Sequence, residues 1–225
     1  MGNQHTSERR IAVIAAGLSN PSSTRMLADR LATATVRELA SQGIHAKVDV
    51  IELRDLAHDV TNMMLAGFAA PSLESAINTV VSADGVIAVT PIFSTSYSGL
   101  FKSFIDVLDP DALTGMPVLI GANAGTARHS LAIDYAIRPL FTYLHAAPVS
   151  TGVFAASGDW GHSGDEGVDA SPLSARIDRA ARELATAVLA REATGPVLDA
   201  FDPESYLGAG GSFGHLLGGL AGDYN

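Results

Sequence analysis

The chain has 225 residues, 24 acidic against 14 basic side chains for a formal charge of −10, and no cysteine. So acidic a chain is a poor binder of nucleic-acid backbones, which need clustered Lys and Arg, and without thiols it has no disulfide framework, thiolate metal site or cysteine nucleophile. Hydrophobic residues make up 47%, enough for a real core, yet no apolar run approaches the roughly 18 residues that crossing a bilayer requires, so a soluble, cytoplasmic protein is expected.

In chain order, residues 1–9 read as a polar leader. Its start, MGNQHT, fits the short Met-Gly-x-x-x-Ser/Thr pattern for myristoylation of Gly2, although a frayed terminus explains it as well. From Arg10 to Ala16 the run RIAVIAA is nearly continuous in apolar residues, as a buried parallel strand requires. A helix follows over 23–41, with Leu27, Leu31 and Leu39 on one face and Gly43 at its stop. HAKVDVIEL (45–53) alternates like an edge strand with one wetter face. Residues 54–71 are irregular, a short helix and a loop, and Ser72 caps a helix reaching about Ala83. GVIAVT (85–90) is a third strand, Leu100 to Leu108 a helix, Met116 to Ala122 a fourth strand, Ala127 to His145 one long helix, and Val149 to Ala155 a fifth strand. A Gly- and Asp-rich loop precedes a last helix over 172–192. One domain thus spans 10–195. Residues 196–225 form a Gly-rich tail, whose Gly208, Gly210 and Gly211 lack the flanking strand and helix of a dinucleotide loop. Strands alternating with helices in this way predict an α/β fold, an open five-stranded parallel sheet covered on both faces.

Ligands of such sheets bind beyond the carboxyl ends of the strands, where three loops concentrate the candidates. In the first, GLSNPSSTR (17–25), Ser19, Ser22, Ser23 and Thr24 offer hydroxyls at a helix start whose free amides and dipole favour an anion, with Arg25 beside them. One phosphate fits there; plain N-capping by Ser22 or Ser23 is the competing reading. The absence of Gly-Lys-Ser/Thr excludes a Walker loop. In the second, Pro91, Ile92, Phe93, Ser94, Tyr97 and Ser98 combine a stiff turn and flat rings with a Ser98-Gly99 helix opening that allows a close backbone approach, suited to a planar heterocycle or to aromatic packing alone. Lys102 and Asp106 stand at the spacing of a helical ion pair. In the third, Asn123, Ala124, Gly125 and Thr126 let backbone amides approach a ligand edge, and Arg128 can reach a phosphate. His129 has no carboxylate partner in view and reads as a surface residue before a catalytic one. Asp159, His162, Asp165, Glu166 and Asp169 lack the spacing of a calcium loop and read as a solvated acidic loop, so no metal is expected.

The combination GLSNPSSTRML, TPIFSTSYSGLFKSFIDVLDPDALTGMPV and ANAGTARHSLAIDYAIRPLF resembles the flavodoxin-like NAD(P)H-dependent FMN reductase family, in particular the reductases of two-component systems that supply a flavin-dependent monooxygenase. The resemblance runs from Ile11 to Ala155. It implies strand order 2-1-3-4-5, the FMN phosphate on residues 19–25, and the flavin ring against the backbone of 91–94 and 124–126. It further implies NADPH or NADH as hydride donor, no side-chain catalyst, and a homo-oligomer, dimer or tetramer, built on the helix containing Asp134, Tyr135 and Ala136. Phe93 departs from the Tyr frequent in the family, and Ala124 from a second Gly. Two other readings use the same fold: a quinone, azo or metal-oxyanion reductase that retains its FMN, and a flavodoxin-type electron carrier. Against the carrier stand a first loop without its Thr-rich pattern and a third loop without an aromatic.

Overall fold

The apolar runs pair as one parallel sheet in the computed structural model, which describes residues 8–160 and 172–191. Its strands are β1 (Glu8–Ala15), β2 (His45–Glu52), β3 (Gly85–Phe93), a two-residue β4 (Ser96–Tyr97), β5 (Pro117–Ala124), β6 (Ala147–Pro148) and β7 (Val153–Ala156). The order is β2-β1-β3-β5-β6, with β7 also on β5 and β4 folded back on β3. With β6 and β7 taken as one interrupted strand, this is the expected flavodoxin-like order 2-1-3-4-5. The helices are α1 (Ser23–Ser41), α2 (Ala57–Ala66), α3 (Pro71–Val81), α4 (Gly99–Asp106), α5 (Arg138–Tyr143) and α6 (Pro172–Ala190).

Alternation along the strands builds two apolar layers. Ala12, Ile14, Val86, Ala88, Val118 and Ile120 face α2 to α5, meeting Val60, Leu73, Phe101, Phe104 and Phe141. Ile11, Val13, Ile87, Val89 and Leu119 face α1 and α6, meeting Leu27, Leu31, Leu184 and Val188. Gly85 is needed where β3 starts, because a Cβ there would fall 2.6 Å from Val188 Cγ2. Among the described residues, no helix is long and apolar enough to cross a membrane.

The end of the sheet where β1 and β3 begin is stapled by charge. Arg9 Nη1 meets Asp84 Oδ1 at 3.3 Å, and Arg10 N donates to Asp84 Oδ2 at 2.7 Å. Arg191, just past α6, donates to Ala83 O at 3.1 Å and accepts from Arg9 Nη2 through its own carbonyl.

Four elements differ from expectation. β1 begins at Glu8, inside the supposed leader, because the segment pairs with β2 from His45 onward and Arg9 is drawn inward by Asp84. Pro71, not Ser72, opens α3 at the position where a missing N–H costs nothing, while Ser72 donates its hydroxyl to Asp59. The long helix over 127–145 is instead a 3₁₀ turn (Ala127–His129), a π turn (Ile133–Ile137) and the short α5. Pro139 lacks the N–H that a continuous helix would use, and Arg138 turns outward to donate to the carbonyls of Val149 (2.8 Å) and Ser150 (3.0 Å). The fifth strand is broken over 149–152, where Glu183 of α6 accepts from both the amide and the hydroxyl of Thr151 at 2.7 Å. Gly43, by contrast, ends α1 as expected, with φ +75. Gly2, His162, Asp165, Glu166, Asp169 and the Gly-rich segment 196–225 lie outside the described residues.

Candidate functional site

At the carboxyl end of β1 the chain passes through Gly17, where a Cβ would lie 2.0 Å from Ser22 Oγ, so no larger residue fits without displacing that hydroxyl. The same hydroxyl caps α1 by accepting from Arg25 N at 3.2 Å. The first turn of α1 holds no acidic residue. Among the described residues, the amides of Ser23 and Thr24 have no hydrogen-bond partner, the state expected of N–H groups in the first turn of a helix. Asn123, from the end of β5, fixes both side chains of that turn: its Nδ2 donates to Ser23 Oγ and its Oδ1 accepts from Thr24 Oγ1, each at 2.8 Å. Ser23 therefore keeps its own hydroxyl hydrogen to offer. Amides, hydroxyl and helix dipole at this helix start are groups that suit an anion, and together they form a candidate anion cradle.

Arg25 does not point into that cradle. Its Nε donates to Asp29 at 2.8 Å and its Nη1 to Glu52 at 2.6 Å. The hydrogen bond to Asp29 first, then the charges of Asp29 and Glu52, hold its guanidinium above its ordinary range, so it stays charged at any working pH. Glu52 also pairs with Arg54, whose Nη1 donates to the carbonyl of Ser19 at 3.3 Å. These side chains brace the loop from outside.

The second wall is a tight hairpin. Ile92 pairs with Tyr97 and Phe93 with Ser96, leaving Ser94 (φ +49) and Thr95 (φ +71) as the two turn residues, both left-handed. That is the hairpin turn whose twist matches the strands, made here without glycine or asparagine. Buried Thr90 locks its base, donating to Pro91 O at 3.0 Å and accepting from Ser98 N at 3.1 Å. Ser98 in turn caps α4 through Phe101 N. Phe93 is left 49% exposed.

Between these walls lies a cleft of about 420 Å³ lined by Leu18, Ser19, Ser23, Thr24, Pro91, Ile92, Phe93, Asn123, Ala124, Gly125, Ser157 and Trp160. Small-molecule sites commonly run about 300–1,000 Å³. The three loops singled out from sequence thus meet at one place. Nine of the candidate residues line it, whereas Ser22 and Ser98 serve as helix caps, Arg25 as a brace, and Ser94 as a turn residue. Tyr97 leans on Phe101, ring centroids 6.1 Å apart. Thr126 and Arg128 are exposed, and His129 has no described carboxylate partner. Lys102 and Asp106 form their ion pair on the surface of α4. Asp159 is not merely solvated: it accepts from Ala156 N at 2.8 Å and meets Arg176. No group of metal-ligating side chains is found among the described residues.

Sequence reasoning missed Leu18, Ser157 and Trp160. The available signal was a lone tryptophan a few residues past a strand's carboxyl end, obscured by the break in that strand.

The cleft combines the hydroxyls and unpartnered amides at the start of α1 with two backbone walls whose larger side chains are Leu18, Pro91, Ile92, Phe93 and Trp160, a lining compatible with FMN. The comparisons agree. The family model described as NADPH-dependent FMN reductase matches residues 9–161. The chain belongs to that family. It is an oxidoreductase that works with FMN and a nicotinamide nucleotide. Among curated relatives of this reductase, FMN reductase (NADPH) of Pseudomonas aeruginosa is 33% identical over 180 residues, covering 80% of this chain and 92% of the relative. NADH-dependent FMN reductase SfnE of Pseudomonas putida is 33% identical over 171 residues, covering 76% and 88%. Among solved structures, an oxidoreductase from Corynebacterium diphtheriae superposes with TM-score 0.76 at 44% identity, covering 82% of this chain and 99% of that one. The apo NADH:FMN oxidoreductase EmoB shares the fold, with TM-score 0.71 at 24% identity over 83% of this chain and 93% of that one.

Proposed function

We propose that this reductase binds FMN reversibly, reduces it with NADPH or NADH, and releases reduced FMN to a flavin-dependent monooxygenase in the cytoplasm. The observation that carries the reading is the anion cradle opening directly into a slot walled by backbone. Ser23, Thr24 and their amides take the FMN phosphate, Asn123 fixes their orientation, and the segments 91–93 and 123–125 flank the flavin ring. When bound, FMN supplies at N5 the acceptor for the hydride of nicotinamide C4. The chain's own contribution is positioning, because two stacked rings held at reacting distance need no side-chain acid or nucleophile. Thr90 stiffens the hairpin for that purpose. Overall charge opposes an anionic ligand, so binding depends on these few local donors.

The test is anaerobic. Purified protein is mixed with excess FMN and either nucleotide, and flavin bleaching is followed. Many turnovers per protein are expected; no bleaching with NADPH or with NADH overturns the reading. Flavin retained through desalting, with quinone-dependent turnover, would indicate the FMN-retaining reductase instead, and bleaching limited to one equivalent would indicate an electron carrier. Reoxidation of the product by an added monooxygenase, coupled to its substrate's oxidation, tests the supply of reduced flavin.

The segment 131–143, which contains the π turn and α5, carries Leu131, Tyr135 and Tyr143 at 63%, 80% and 78% exposure. Large apolar groups so exposed on one segment support a homo-oligomer joined there. Tyr135→Glu should then lower the mass measured by light scattering to that of a smaller assembly; an unchanged mass would exclude this face.

A further inference from the structure

Trp160 is the one tryptophan of the chain. It borders the cleft together with Ser157. β7 lies beside β5 with Ala155 opposite Asn123 and Ala156 opposite Ala124. The turn Ser157–Trp160 therefore starts level with the small-residue loop that walls the flavin slot. The turn is anchored through Asp159, which accepts from Ala156 N at 2.8 Å and meets Arg176 Nη2 of α6 at 3.4 Å. The indole is held as well. Arg30 of α1 places its guanidinium carbon 5.1 Å from the ring centroid, within the roughly 6 Å over which a cation is attracted to an indole face. Part of the ring packs on the apolar layer of α1 and α6. The ring also borders the cleft, where Phe93 is the other aromatic side chain of the lining.

We propose that Trp160, held by Arg30, is a flavin-contact residue that packs on the ring system of the bound cofactor and sets how firmly it is retained. The proposal rests on the FMN reading above. A large aromatic surface bordering a slot for a planar ligand contributes by stacking and by excluding water from one side of it. Such a contact acts on the ring, whereas the cradle at Ser23 and Thr24 acts on the phosphate. The two therefore respond differently to a flavin that lacks a phosphate.

The experiment measures dissociation constants for FMN and for riboflavin in wild type, Trp160→Leu, Trp160→Phe and Ser23→Asp. Trp160→Leu should weaken both flavins by the same factor, about tenfold, the scale of a lost aromatic stack. Trp160→Phe should stay within about threefold for both, since it keeps an aromatic face. Ser23→Asp should weaken FMN and leave riboflavin unchanged. Trp160→Leu affinities equal to wild type, or a loss confined to FMN, would overturn the contact while leaving the FMN site standing. A wild type that binds neither flavin would overturn the site and the contact together. A further measurement needs no variant: saturating riboflavin should quench nearly all of the wild-type tryptophan emission, which comes from Trp160 alone, and retention of most of that emission would overturn the proposal.

Discussion

Asn123 is the residue on which the cradle turns. Its side chain joins two hydroxyls that lie about a hundred positions away in the chain, Ser23 and Thr24. Asn123→Ala leaves both free to rotate, and each lost hydrogen bond costs about 1 kcal/mol. The FMN dissociation constant should rise about fivefold to thirtyfold with little change in the maximal rate at saturating flavin, as titration and steady-state kinetics would show. An unchanged constant would remove Asn123 from the cradle. The serines of the first loop were legible in sequence because capping and free first-turn amides are local properties of a helix start. The bond from Asn123 was not, because it depends on β5 lying next but one to β1. Arg25 shows the converse: its position beside the loop was legible, but its direction was decided by Asp29 one turn on and by Glu52 across the sheet.

Elements announced by their own punctuation were readable: α1 by Ser22 and Gly43, α4 by Ser98. The hairpin β3–β4 was not, since its turn lacks the glycine or asparagine that normally marks one. Thr95 there is β-branched at φ +71, a conformation that costs an ordinary residue about 1–2 kcal/mol, partly offset by the extra freedom glycine has when unfolded. Thr95→Gly should therefore raise stability by about 0.5–1 kcal/mol in denaturant titrations; a loss of stability would show that the side chain makes contacts outweighing its backbone cost. The π turn was equally hidden, because it is set by packing. A Cβ on Gly152 would fall 2.4 Å from Ile133 Cγ2, so that turn and the broken outer strand fit only with a hydrogen there. Gly152→Ala should destabilise by about 1–3 kcal/mol, the range for overpacking, and thermal unfolding would reveal it. Its wild-type midpoint would show that Ile133 can move aside.

For the molecule as a whole, the sheet keeps its functions apart. The residues lining the cleft gather where the strands end, and the buried pair Arg9 and Asp84, 8% and 2% exposed, fastens the end where they begin. Asp84→Ala leaves Arg9 buried beside an empty place, at a cost of about 3 kcal/mol or more. The melting temperature should fall by several degrees while FMN affinity, measured below the transition, stays at the wild-type value. A matching loss of affinity would mean that the two ends are coupled. Fold class, strand order and the meeting of three loops were legible at this scale because a parallel sheet needs continuous apolar strands and leaves its loops at one end. The split outer strand was not, because β5 supplies its pairing.

That split has a consequence of parity. Pro117 and Val118 pair with Ala147 and Pro148, and Gly121 onward with Val153 onward. The outer strand thus spends four residues, 149–152, where β5 spends two. The surplus is even. Because strand side chains alternate with period two, Val153 and Ala155 still face α1 and α6, and Phe154 and Ala156 the opposite layer, as an unbroken strand would have placed them. Loss of two residues from the detour would keep this arrangement. Loss of one would turn the strand over, sending Phe154 into the layer built for Val153 and Trp160 away from the cleft.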